Sequence, residues 1–215
     1  MMKLAEPDVS LSDFALTIES LALTYLTVTL PVNDPASRTM FLVFFPALGL
    51  ATLLAGLAHG IFHDHGSRVH EGVWRGSLLS LGLAALALWG ACIVVATSGW
   101  SSIVLAAGVI ALYLFYVFKI LFVHHDYRIA IRHYAPAVVA LALTFLWRWI
   151  QHPSWWLLAG VAGAAWSVLA GVLQQRQVAL HPRYFTHNAL YHLNQGIAMF
   201  AVYLGSRGLI AGGPG

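Results

Sequence analysis

Seven long apolar stretches account for most of the 215-residue chain. They run over about Leu11–Val32, Thr39–His63, Val73–Thr97, Ser101–Val123, Ile129–Ile150, Ser154–Gln174 and Phe185–Leu209. Each is close to the ~20 residues that a helix needs to cross a hydrocarbon core. The chain therefore reads as all-α, a single seven-helix transmembrane domain over residues 1–215. Only 9% of residues are charged, against about 25% in soluble domains. The breaks have mechanisms: Pro31, Asn33, Asp34 and Pro35 end the first stretch, Ser98-Gly99 makes a tight reversal, and His152-Pro153 and His181-Pro182 interrupt the later ones. Pro46 and Pro136 fall inside stretches two and five and are expected to bend them or lie near their ends. The net charge of +3 is scattered and points to no nucleic-acid partner. The single cysteine, Cys92, excludes an internal disulfide and a thiolate metal site. Residues 1–12 hold no apolar segment with a small-residue cleavage site, so no cleaved signal peptide is expected.

Lysine and arginine set the expected orientation. Lys3, Arg68, Arg75, Lys119, Arg128, Arg132, Arg176 and Arg183 fall on the side of the N-terminus, and Arg38, Arg148 and Arg207 on the other. The positive-inside rule then puts the N-terminus in the cytoplasm and the C-terminus outside. Of the 11 histidines, all but His152 fall towards the cytoplasmic side. Asp13 and Glu19 of the first stretch enter from that side as well. Polar groups at membrane depth are costly and usually face a protein interior, a cavity or an ion.

Several constellations could carry chemistry. His59 and His63 stand four residues apart, so on a continuous helix they share one face and can reach one ion. The blander alternative is a hydrogen-bonded His59 and an interfacial His63. In Thr186–Gln195, His187 and His192 are five apart and do not share a face, whereas Asn188 and His192 do, as do His187 and Tyr191. Asn194 and Gln195 read as interhelical hydrogen-bond formers. Ser10-Leu11-Ser12-Asp13 reads as a helix start with an acid in its first turn. Glu19, between Ile18 and Ser20, has no such excuse. His125 and His133 flank the fourth loop and are candidate supporting groups. Gly160, Gly163, Ala164, Ser167 and Gly171 form a packing stripe, and Trp147, Trp149, Trp155 and Trp156 an interfacial belt.

The arrangement resembles the superfamily that joins alkaline ceramidases, progestin and adipoQ receptors and haemolysin III-like proteins, often called CREST. His59-Gly60-Ile61-Phe62-His63 is similar to its Ser-x-x-x-His element, with His59 in place of the serine. Asn188-Ala189-Leu190-Tyr191-His192 is similar to its last-span His-x-x-x-His, with Asn188 in place of the first histidine. The third stretch, Val73–Thr97, lacks the acid found there in the superfamily. The chain also looks like an uncharacterised bacterial seven-span family near this group. The resemblance implies that His63 and His192 are zinc ligands supported by His59 and His187 or Asn188, and that Asp13 or Glu19 stands for the acid near the first span.

Zinc with an open coordination position activates water and polarises a carbonyl. The resulting expectation is a zinc-dependent hydrolase of a lipid amide or ester in a bacterial inner membrane, with Glu19 or Asp13 handling the proton. One alternative is a haem or redox protein with axial histidines. Another is a non-enzymatic sensor, or a subunit that meets other membrane proteins.

Overall fold

A computed structural model describes residues 4–182 and 184–212. Seven helices follow one another: α1 Pro7–Thr29, α2 Pro35–Gly60, α3 Arg68–Ala96, α4 Trp100–Phe122, α5 Tyr127–Gln151, α6 Trp155–Gln175 and α7 His187–Ile210. Six of them, α1 to α6, are long and apolar enough to cross a membrane. The seventh has the length, but it opens on the polar stretch His187–Gln195.

The helix ends correct several sequence boundaries. α1 starts at Pro7, where the missing proline N–H costs nothing. Ser10 and Ser12 thus lie inside the helix and Asp13 is no longer a first-turn acid. α2 ends at Gly60, before His63. A side chain at Gly60 would collide with Ser10 Oγ and with Leu4. There the chain turns: the Phe62 N–H reaches the Leu57 carbonyl, and the Gly60 carbonyl accepts from the Ala5 N–H at 3.2 Å. The expected shared face of His59 and His63 therefore does not form. α3 starts five residues early, because Ser67 caps it by accepting from the His70 N–H at 3.1 Å.

Helices α1, α2, α3, α5, α6 and α7 form a closed ring, with α7 returning against α1 and α2. α4 stands outside, leaning on α3, with only Tyr116 and Ile120 buried. The core holds Phe41, Phe44, Phe45, Leu88, Phe145 and Met199. Lipid-like surroundings supply little drive for helix association, so small residues and hydroxyls do that work. Gly160 and Gly205 bring the backbones of α6 and α7 together: an added Cβ on Gly205 would lie 2.5 Å from the Gly160 Cα. Gly171, counted above in the packing stripe, faces open space instead. Ser10 Oγ donates to the Gly56 carbonyl and Ser77 Oγ to that of Ala51, both at 2.8 Å, tying α1 and α3 to α2. Arg207 sits 4.0 Å over the Trp156 ring at the far end of the bundle.

Candidate functional site

A cavity of about 200 Å³ lies inside the ring at the end where α1 and α7 begin. Asp13 from α1, His59 from α2, Trp74 from α3, Tyr127 and Tyr134 from α5, and Asn188, Tyr191 and His192 from α7 line it. It shares Leu81, Tyr127, Tyr134, Gln174, Tyr191 and Gln195 with a second lobe of about 260 Å³. That lobe is mostly apolar, lies between α5 and α6, and carries Arg176 on its wall.

The polar centre is a chain of three side chains. Asp13 is 1% exposed. Its Oδ1 lies 3.4 Å from His192 Nε2, and its Oδ2 is buried without a hydrogen-bond partner. His192 Nδ1 lies 2.8 Å from Ser12 Oγ, which is also 2.8 Å from the Val9 carbonyl. The serine hydroxyl has one proton and two acceptors in reach. If it donates to Nδ1, then Nε2–H donates to the Asp13 carboxylate. If it donates to Val9, then Nδ1–H donates to the serine, and the contact with Asp13 needs one further proton. Rotation of one hydroxyl thus accompanies the gain or loss of a proton by the Asp13–His192 pair.

The start of α7 is fixed by α1. Asp8 Oδ2 accepts from the Thr186 N–H at 3.0 Å and from the Thr186 hydroxyl at 2.7 Å, a cap supplied by another helix. This sets the register that aims His192 at Asp13. Asn188 lines the cavity, but its Oδ1 accepts from Gln174 Nε2 at 3.2 Å. Tyr127 and Tyr191 bring their hydroxyls to 3.4 Å. As expected, Asn194 and Gln195 join α6 to α7: Trp166 Nε1 donates to Asn194 Oδ1, and Ser167 Oγ donates to Gln195 Oε1.

The sequence candidates are only partly brought together. His59 lines the cavity, yet its Nδ1 lies 3.1 Å from Glu6 Oε2. His63 is exposed in the loop after α2. His187 is the first residue of α7 and does not line the cavity. His125 is exposed and contributes its carbonyl, which accepts from Trp74 Nε1 at 3.1 Å. His133 stacks on Tyr116 at 4.4 Å, among α3, α4 and α5. Glu19 lies on another face of α1, in a groove with α7. Among the described residues, no three His, Cys, Asp or Glu side chains converge closely enough to hold one ion. The ligand pair implied by the resemblance, His63 with His192, is not assembled.

Sequence pattern alone marks none of Glu6, Trp74 and Gln174 as site residues, it reads Ser12 as part of a helix start, and it marks Tyr134 only through its spacing from Tyr127. Tyr127 and Tyr134, seven apart, fall on one helix face, and that spacing was a usable signal. The partnership of Ser12 with His192 spans 180 residues and left no local trace.

Fold and site together define a helical protein of the membrane-spanning class with a carboxyl–imidazole pair buried in an internal cavity. The chain belongs to a family of unknown function, DUF6962, whose profile matches residues 9–211. No curated protein and no solved structure matches it.

Proposed function

We propose that the chain is a membrane hydrolase of a lipid amide or ester, with Asp13 and His192 handling the proton. The observation that carries this reading is the buried Asp13–His192–Ser12 chain beside an apolar lobe. The Asp13–His192 pair is a unit that can give or take a proton, as acid–base catalysis requires, while Ser12 holds the other ring nitrogen. The mostly apolar lobe between α5 and α6 would take the acyl chain, leaving the carbonyl near His192. We place the protein in a bacterial inner membrane with α7 as a seventh span and the N-terminus in the cytoplasm. The excess of basic residues on that side supports this orientation.

Zinc is a second reading, favoured by the unpartnered Asp13 Oδ2. Asp13, His192 and His59 would hold the ion only after rearranging, because among the described residues no three such side chains converge as they stand, and zinc would supply a Lewis acid. This set differs from the His63–His192 pair that a CREST-like site implies, and His59 would have to leave Glu6. The engaged ring nitrogens of His192 count equally against haem and zinc ligation.

The test uses purified protein in lipid nanodiscs, offered mixed long-chain amides and esters, with products read by mass spectrometry. Product release that falls at least about 100-fold in both Asp13→Asn and His192→Ala supports the proposal. Absence of product, or full activity in both variants, rejects it. Metal content of the same sample, at about one zinc per chain, would favour the second reading.

A further inference from the structure

Glu19 is the residue the site leaves unexplained. It is the thirteenth residue of α1, about 18 Å along the helix from Pro7 at ~1.5 Å per residue. Its carboxyl group lies against α7, where an added Cβ on Gly196 would come within 2.7 Å of Glu19 Oε2. Glycine at 196 is what lets the carboxyl reach the floor of the groove. The groove itself encloses about 490 Å³ and is mostly apolar. Leu193, Ile197 and Phe200 on its wall are 54%, 56% and 50% exposed, so it faces outwards between α1 and α7. Among the described residues, Glu19 has no hydrogen-bond or ion-pair partner, and no lysine or arginine lines the groove.

A carboxylate at such depth is expensive unless something of opposite charge meets it. A bare metal ion fits poorly, because calcium or magnesium requires about six oxygen ligands and the groove offers one carboxyl group, with Ser12 and His192 at its edge already paired with each other. An organic cation with an apolar body complements both features: its charge meets Glu19 and its body replaces lipid against Leu193 and Ile197. The Phe200 ring, one helical turn beyond Gly196, adds a face that attracts cations. We infer that the α1–α7 groove binds a lipophilic organic cation, a quaternary or primary ammonium carrying an alkyl chain, with Glu19 as its counter-ion. The groove opens outwards and shares Leu16 and His192 with the internal cavity, but Glu19 lines only the groove, and the inference does not rest on the hydrolase reading.

The test is equilibrium binding of dodecyltrimethylammonium to the full chain in micelles of a non-ionic detergent, with dodecanol as the neutral probe of equal chain length. Saturable binding of the ammonium alone is expected. It should weaken at least tenfold in Glu19→Gln and in Ile197→Trp, which fills the groove without touching the charge. It should be unchanged in Asp13→Asn, whatever that variant does to hydrolysis. Equal binding of dodecanol, or wild-type affinity in Glu19→Gln, overturns the inference. So does loss of a dimer or of a co-purifying membrane protein in Glu19→Gln with cation binding intact, because Glu19 would then serve a protein contact.

Discussion

Asp13 is the residue on which the site turns, and its buried, unpartnered Oδ2 is a local destabilisation. A buried polar atom left unsatisfied costs about 1–3 kcal/mol. Asparagine at this position would present an N–H to His192 Nε2 while Nδ1–H donates to Ser12, so the chain of hydrogen bonds survives without a titrating group. Asp13→Asn is therefore expected to hold the thermal midpoint in detergent at or slightly above wild type while hydrolysis is lost. Ser12→Ala removes the group that engages Nδ1. It should lower turnover about tenfold or more with little effect on substrate affinity, which a comparison of kcat and KM measures. Asp13 was visible in the sequence as an acid in an apolar run, but Ser10 and Ser12 gave it a false explanation as part of a helix start. The true start at Pro7 depends on the proline and on Ser10 spending its hydroxyl on the Gly56 carbonyl instead.

At the level of elements, tertiary contacts decided what local pattern could not. The apolar run of α2 continues to Phe62, so periodicity alone carries the helix through His63. What stops it is the N-terminal segment lying against Gly60. Gly60→Leu is expected to cost about 1–3 kcal/mol through overpacking, seen as a lower unfolding midpoint. The same reasoning applies to Gly205→Leu, which would separate α6 from α7 where their backbones touch. Asp8→Ala removes the cap on α7, worth about 1 kcal/mol. Hydrogen exchange at residues 187–190 should accelerate, with the rest of α7 unaffected. The positions of all seven helices were legible, because apolar runs of this length leave few alternatives. The cap joining Asp8 to Thr186 was not, because it bridges 178 residues.

Across the whole molecule, the histidines that the sequence gathers on one side separate into distinct uses. His59 and His192 line the cavity, His133 stacks on Tyr116, and His65 pairs with His70 through ring nitrogens 2.9 Å apart. Charge gives an expected membrane side, but which histidines meet has no local signal, because it depends on the order of helices around the ring and on α4 standing outside it. The proposed orientation makes a direct prediction. In a Cys92→Ala background, His63→Cys should react with an impermeant thiol reagent only from the cytoplasmic side, and Ser98→Cys only from outside. The opposite labelling would invert the topology and with it the side from which the cavity opens.

Two of the links that hold the site, Ser12 with His192 and Asp8 with Thr186, join the first helix to the last across 180 and 178 residues. During synthesis at roughly 5–20 residues per second, α1 waits about 10–40 s before its partner leaves the ribosome. Through that interval Asp13 lacks the His192 imidazole that it meets in the finished bundle. Ser12 and Asp8 are thus made long before the residues they hold, and the site closes only when the last helix arrives.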